Sequence, residues 1–148
     1  MPQSLADVNI HFIFSTKNRQ PLIVEAIAPQ FHQYIGGVIR GEKCGPLAVG
    51  GIPDHVHLLI SLSREISIAE LMRIVKAGSS KWMHEQGHLE FQWQTGYGAF
   101  SVSHSNLGSV RDYIANQVEH HRRMSFQEEY LLFLQKHNVA YDERYLWD

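Results

Sequence analysis

The sequence has 148 residues, of which 44% are hydrophobic and 19% are charged, and it contains one cysteine. This composition is typical of a globular chain and excludes a disordered or fibrous protein, and the length predicts one ordinary domain that spans residues 1–148. No apolar run approaches the roughly 20 residues that cross a bilayer, and the N-terminus lacks the basic and apolar segments of a signal peptide. Because Cys44 has no internal partner, the sequence favours a reducing cytoplasm.

The net charge of −2 is unusual for a nucleic-acid-binding domain, which commonly carries a basic surplus. The acidic surplus lies at the C-terminal end, where residues 124–148 contain five acidic and two basic side chains. The remaining chain can still carry local basic patches, so the charge predicts modest, salt-dependent binding to phosphates. The chain also has ten histidines, and histidine is the commonest metal ligand in proteins.

Alternating and helical apolar patterns divide the chain into strands and helices. The helix that begins after Ser67 has Glu70 three residues later, which predicts a capping box, and Gly41 closes the first helix. The predicted order is βαββαβ followed by two helices, which is an α+β, ferredoxin-like antiparallel sheet with helices on one face and additional C-terminal helices. The predicted strands are 8–16, 47–52, 55–63 and 97–104, and the predicted helices are 23–40, 68–86, 107–123 and 126–137.

The first candidate site is the Asp54-His55-Val56-His57 segment on the third strand. Residues two apart on a strand share one face, so His55 and His57 lie together while Val56 faces the core. Two imidazoles about 7 Å apart along one face are able to lean onto a single ion. The same pattern also occurs as a pair of surface histidines on a half-buried strand, so the pair alone leaves metal binding open.

The second candidate site is Tyr113 and Gln117 on the helix that follows the last strand. Four residues are close to one helical turn, so the phenol and the amide lie on the same stripe. The alternative is that Tyr113 packs against the body and Gln117 is solvated. A phenol with a pKa near 10 is barely ionised at neutral pH and needs help as a nucleophile. A divalent ion that polarises a phosphate gives such help, which favours joining the two sites.

Taken together, the motifs resemble the single-tyrosine HUH transposases of the insertion-sequence 200/605 group and the related REP-associated tyrosine transposases. The resemblance covers essentially the whole chain and includes both the His-hydrophobic-His and the Tyr-x-x-x-Gln elements. The segments that carry it are FSTKNRQPL (14–22), PDHVHLLIS (53–61), WQTGYGAFSVS (93–103), YIANQVEHH (113–121) and NVAYDERYLWD (138–148).

This resemblance implies a DNA transposase that cuts and rejoins single-stranded DNA with stem-loop ends. Tyr113 matches the nucleophile that forms a 5′-phosphotyrosine, and His55, His57 and Gln117 match the ligands of a divalent metal ion, for which Mg²⁺ or Mn²⁺ is expected. The family also implies a homodimer, in which the tyrosine helix serves the histidine pair of its own subunit or that of the partner.

Additional residues are candidates for supporting roles. We predict phosphate contacts from five basic side chains, although a solvated face is the ordinary role of such charges. Asp54 either orients a histidine or shapes the turn after Pro53, and His121 is a second candidate near the metal, although a surface position is the simpler interpretation. No catalytic role is predicted for His11. The five basic residues are Lys17, Arg19, Arg73, Lys76 and Lys81.

Two other functions fit part of the same pattern. One is a domesticated protein that binds DNA hairpins without cutting them. The other is a small metal-dependent phosphodiesterase that uses His55 and His57 with water as the acceptor and does not need Tyr113. Aromatic residues such as Trp93, Tyr97 and Phe100 would stack on unpaired bases in a single-strand binder, but core packing is the simpler role for most of them. Tyr97 lies between glycines and lacks a ligand one turn away, which makes it a poorer nucleophile than Tyr113.

Overall fold

Four antiparallel strands form one sheet in the order β2-β3-β1-β4 in the computed structural model, which describes residues 2–148. Strand β1 lies in the centre, with Ile13 opposite His57 of β3 and Gly98 of β4. Together with the helices between the strands, this order confirms the predicted ferredoxin-like α+β fold. The strands are β1 (Asn9–Ser15), β2 (Gly45–Ile52), β3 (His55–Ser61) and β4 (Gly98–Val102).

Two long helices cover one face of the sheet, α1 (Ala28–Gly41) and α2 (Ile68–Glu85). Alternate residues of β3 face these helices, as the strand pattern predicts: Val56 and Leu58 are fully buried in one cluster with Phe31 of α1 and Leu71 of α2. Burial of such large apolar side chains is the main stabilising contribution of a core of this kind.

Three C-terminal helices lie after β4, namely α3 (Leu107–Ala115), α4 (Gln117–His120) and α5 (Phe126–Lys136). A second buried cluster joins Ile13 of β1 and Phe100 of β4 to α5. Because helices lie against both faces, every residue of β1 is buried, including its polar ones. The C-terminal helices thus enclose polar side chains that an alternating strand would otherwise expose. The α5 members of the second cluster are Phe126, Tyr130 and Leu134.

Some boundaries differ from those predicted. Helix α1 begins at Ala28 rather than at residue 23, because residues 25–27 form a turn and Pro29 occupies the first helical turn. The predicted capping box of α2 is half formed: Ser67 accepts a hydrogen bond from the Glu70 backbone, but the Glu70 carboxylate pairs with Arg73. None of the helices among residues 2–148 combines the length and the apolarity that a membrane span requires.

The predicted continuous helix over 107–123 is wrong, because the helix breaks at Asn116 between α3 and α4. The φ of −100° and ψ of 22° at Asn116 depart from helical values and interrupt the helix there. In the tail, Trp147 packs on the second cluster, whereas Tyr145 is exposed, so only part of the predicted aromatic packing forms.

Helix α3 approaches β2 closely at Gly50. A Cβ atom at this position would lie 2.9 Å from both Cγ2 and the backbone oxygen of Ile114. Only glycine leaves room for this approach. Since Ile114 is the neighbour of Tyr113, the contact fixes where the tyrosine stands above the sheet.

Candidate active site

The two histidines of β3 lie at the start of the strand, on the face opposite the α1 and α2 core. Both side chains are fully buried, and their ring centroids are 5.1 Å apart. The sequence places them there because residues two apart on a strand share a face. Their depth comes from the C-terminal helices that close over them, which strand periodicity does not show.

The Nδ1 atom of each histidine has a specific partner. His55 Nδ1 donates to Asp54 Oδ1 at 2.6 Å, and His57 Nδ1 lies 2.8 Å from Nε2 of His11. Partners of this kind fix the orientation and the tautomer of a metal-ligating imidazole. Asp54 thus contacts the ring of His55, as the first of its two alternative roles requires. His11, for which no role was predicted, supports the other ring.

Tyr113 and Gln117 lie over the same histidines within one chain. The ring centroids of Tyr113 and His57 are 5.7 Å apart, and Gln117 Oε1 is 3.2 Å from His55 Nε2. Gln117 is buried, and its amide nitrogen donates to the Tyr113 backbone oxygen at 3.3 Å. The helix break at Asn116 leaves this pair of residues facing the sheet together.

Glu129 of α5 lies at the centre of the site, and this was not predicted. Its Oε1 accepts a hydrogen bond from His57 Nε2 at 2.9 Å, while its Oε2 accepts one from the phenol of Tyr113. The side chain is only 1% exposed. A signal was present in the sequence: Glu129 shares the spacing of the buried residues Phe126, Tyr130 and Leu134, so a carboxylate occupies the apolar face of an amphipathic helix.

Burial and close charges shift the pKa values of the site. Burial lowers the pKa of His57 to about 4, against the opposing hydrogen bond and charge of Glu129. For His55, the hydrogen bonds and charges of Asp54 and Glu129 outweigh burial and raise the pKa. Burial and the neighbouring Glu129 carboxylate raise the pKa of Tyr113 above its ordinary value. In the conformation described, the phenol is therefore fully protonated at neutral pH.

The donor set fits a divalent metal ion. One ligand atom from each of four side chains lies within 4.8 Å of all the others in the described part of the chain. Imidazole nitrogens and carboxylate oxygens together suit first-row divalent ions, and Gln117 adds an amide oxygen beside them. The four side chains are His55, His57, His121 and Glu129.

A surface pocket leads to Tyr113 from the side of α4. It is lined by Asn116, His120 and Arg123 among others, and His120 Nε2 lies 3.1 Å from the phenol oxygen. Arg123 and Glu119 both line this opening, so it carries one charge of each sign. The phenol side of the site thus opens to the surface, whereas the two histidines of β3 are closed off.

The basic residues predicted to contact phosphates lie away from this pocket. Arg73, Lys76 and Lys81 belong to α2, which packs on the other face of the sheet. The Lys76 ammonium donates to the backbone oxygens of three residues at 94–96, so it stabilises that loop. Lys17 borders a second pocket with Lys76, and Arg19 stacks over Trp147 at 5.5 Å. DNA contact by these five residues stays a prediction.

The family model described as "Transposase IS200 like" matches residues 4–117. The chain belongs to this family of transposases. It is thereby a DNA transposase, in agreement with the resemblance seen in its motifs. His121 and Glu129 lie beyond the matched residues.

Individual relatives agree with this assignment. The chain is 27% identical over 120 residues to the transposase for insertion sequence element IS200 of Salmonella typhimurium, which covers 74% of this chain and 76% of the relative. It is 23% identical over 117 residues to the ISDra2 transposase TnpA of Deinococcus radiodurans, covering 72% and 81% of the two chains.

Solved structures show the same fold. A Deinococcus radiodurans protein assigned as a transposase superposes with a TM-score of 0.64 at 23% identity, over 79% of this chain and 98% of that one. A REP-associated tyrosine transposase bound to a REP hairpin gives a TM-score of 0.60 at 20% identity, over 81% and 72%.

Proposed function

We propose that this transposase cleaves and rejoins single-stranded DNA with Tyr113 as the nucleophile. The observation that carries the proposal is the convergence of the two motifs. The Tyr113 phenol and the Gln117 amide lie beside the His55 and His57 rings, and all four side chains share contacts with Glu129. Such a constellation of a nucleophile beside clustered ligands has little purpose in a protein that only binds DNA.

In the proposed step, the energy of the cleaved phosphodiester bond is retained in a phosphotyrosine bond. The phenol oxygen bonds to phosphorus, the bond from phosphorus to the 3′ oxygen breaks, and that oxygen leaves as a 3′-hydroxyl after it takes a proton. The phenol proton passes to an acceptor, and His120 Nε2 is within reach at 3.1 Å. A 3′-hydroxyl later attacks the phosphotyrosine and reseals a strand, so the cycle needs no ATP.

A divalent ion, Mg²⁺ or Mn²⁺, would be held by His55, His57 and Gln117, and when bound it would act as a Lewis acid that neutralises charge on the phosphate. The protein side chains prepare this position. Asp54 and His11 hold the two rings, and burial lowers the His57 pKa to about 4, so that its ring is neutral and able to bind at physiological pH.

We also propose that the substrate is DNA with stem-loop ends and that residues 1–148 form one catalytic domain. The proposed location of the reaction is the cytoplasm. The structurally similar REP-associated transposase bound to a REP hairpin supports the stem-loop. A homodimer is part of the proposal. In the conformation described, Tyr113 lies by its own chain's histidines, which supports cleavage within one subunit rather than a composite site.

The test is covalent capture. Purified protein, Mn²⁺ or Mg²⁺ and a labelled stem-loop oligonucleotide are incubated and run on a denaturing gel. We expect a protein–DNA adduct that Tyr113→Phe abolishes and that Tyr145→Phe, at an exposed position, retains. Tyr97→Phe tests the rival nucleophile. An adduct that survives Tyr113→Phe would contradict the assignment, and turnover to free product without an adduct would instead favour a phosphodiesterase. Hairpin binding without cleavage in either metal would favour a domesticated DNA-binding protein.

A further inference from the structure

The segment beyond the residues matched by the family model reaches back into the active site. His121 follows α4 and Glu129 belongs to α5, and both lie outside residues 4–117. Their side chains are nevertheless 4% and 1% exposed, and His121 Nε2 lies 3.2 Å from Glu129 Oε1. A buried carboxylate is costly unless several partners compensate its charge, so this arrangement requires a reason.

The atoms of these side chains that are able to bind a metal ion face one another. His121 Nδ1 donates to the Met124 carbonyl at 2.7 Å, as His55 Nδ1 donates to Asp54. In a neutral imidazole, the other nitrogen then carries a lone pair. Those two Nε2 lone pairs converge with Gln117 Oε1, at 3.0 Å from His121 and 3.2 Å from His55. Acceptors that face one another in this way repel unless a shared metal ion or a proton on an imidazole lies between them.

The separations also suit a coordination shell. Ligand atoms about 2.1 Å from one ion are about 3.0 Å apart in an octahedron and about 3.4 Å apart in a tetrahedron. Glu129 Oε1 is 2.9 Å from His57 Nε2, 3.2 Å from His121 Nε2 and 3.5 Å from His55 Nε2. These separations fit the hydrogen bonds described above, and they equally fit a shell in which the carboxylate oxygen and the three imidazole nitrogens are ligands of one ion.

We propose that His121 and Glu129 are additional ligands of the divalent ion, so that the C-terminal segment closes the metal site of this transposase. This inference rests on the ion of the proposed function and adds two ligands to it. Glu129 then has two roles, since its second oxygen accepts from the Tyr113 phenol. The carboxylate thus links the ion and the nucleophile. Binding of the ion also ties α5 to the sheet.

The experiment measures metal binding to the full-length protein without DNA. Co²⁺ is titrated and followed by its visible absorption, which reports coordination geometry, and Mn²⁺ is titrated by calorimetry. Glu129→Gln keeps the size of the side chain and loses the charge; its matched control is Glu128→Gln on the same helix, where glutamine still supports the cap. His121→Asn is paired with His104→Asn, at an exposed histidine. Thermal unfolding without metal verifies that each variant folds.

We expect Glu129→Gln and His121→Asn to weaken Mn²⁺ binding by at least about tenfold and to change the Co²⁺ spectrum, while both controls bind as the wild type does. Equal affinities and spectra in all four variants, with binding lost in His55→Asn, would overturn this inference and leave the proposed function standing. If the wild-type protein binds neither Co²⁺ nor Mn²⁺, the proposed metal site is refuted as well. In that case the cluster is a network of imidazolium groups around a carboxylate.

Discussion

The contact between Gly50 and α3 gives a sharp test of how the fold positions the nucleophile. In Gly50→Ala the new methyl group would lie 2.9 Å from Ile114 Cγ2 and 2.9 Å from the Ile114 backbone oxygen. A backbone oxygen cannot rotate away, so α3 must move outward. Overpacking of this kind costs about 1–3 kcal/mol, which for a domain of this length lowers the melting temperature by roughly 2–12 °C.

The same shift moves Tyr113, the neighbour of Ile114, away from the histidines. A displacement of about 1 Å of a reacting group costs on the order of 100-fold in rate, so adduct formation should fall far more than the loss of folded protein explains. The assay compares thermal unfolding with the single-turnover rate of adduct formation. Gly37→Ala is the control, because Gly37 lies on α1 with nothing within 4 Å of an added Cβ, and alanine there should stabilise the helix by about 0.5–1 kcal/mol. Wild-type stability and rate in Gly50→Ala would refute the role given to this contact.

Three further predictions concern the groups around the site. Burial, with the neighbouring His57, lowers the pKa of His11 to about 3, so between about pH 6.5 and pH 3 the unfolded chain binds a proton that the native ring does not. Stability therefore falls as pH falls through this window, and His11→Asn should flatten the slope by up to about 1.4 kcal/mol per pH unit, which urea unfolding at several pH values measures; parallel slopes would contradict it. Asp54→Ala should weaken Mn²⁺ binding by about 10–100-fold in calorimetry because His55 loses its orienting acceptor, and an unchanged affinity would mean that Asp54 only shapes the turn. Ser125→Ala removes the full capping box of α5 and should cost about 1 kcal/mol in urea unfolding, whereas Ser125→Asp should retain most of the stability; equal losses in the two variants would show that the cap is not the cause.

Local patterns in the sequence were sufficient to predict most of the fold. The alternation of β3 predicted which residues face the core, since Val56 and Leu58 pack on α1 and α2 as expected. Ser67 predicted the start of α2 because a hydroxyl there satisfies a free backbone donor. The break at Asn116 was not visible, because Val110, Ile114 and Val118 keep helical spacing across it. Periodicity alone therefore predicts one continuous helix there.

The site was half predictable for a related reason. His55 and His57 lie two residues apart, and Tyr113 and Gln117 lie one helical turn apart, so a short sequence window contains each pair. Glu129 is 72 residues from its partner His57 and joins it only through packing of the second cluster. An acidic residue on the apolar face of a helix was the one local sign. The buried position of this acidic residue can be interpreted only once the strand beneath the helix is known to carry histidines.

The closed state of the site implies that α5 moves during the reaction. His55 and His57 are fully buried, and Glu129 occupies the space between them and Tyr113, where a DNA phosphate would have to enter. A phosphate oxygen carries the same charge as the carboxylate, so it can replace that group among the same partners. We therefore expect DNA to displace Glu129 from the ion and α5 from the sheet, so that the carboxylate is a metal ligand in the DNA-free protein and yields its place to the phosphate.

Hydrogen exchange on the Tyr113→Phe variant, which binds DNA without being consumed, measures this displacement. With saturating stem-loop DNA and Mn²⁺, the backbone amides of α5 (Phe126–Lys136) should exchange faster, while those of α2 (Ile68–Glu85), on the far face of the sheet, keep their rates. Helix α5 is held mainly by Phe126, Tyr130 and Leu134, so Leu134→Ala should speed exchange in α5 even without DNA, at a cost of about 2–5 kcal/mol in stability. Unchanged or slower exchange of α5 on DNA binding would mean that the phosphate reaches the histidines with Glu129 still in place, and the carboxylate would then act beside the substrate rather than yield to it.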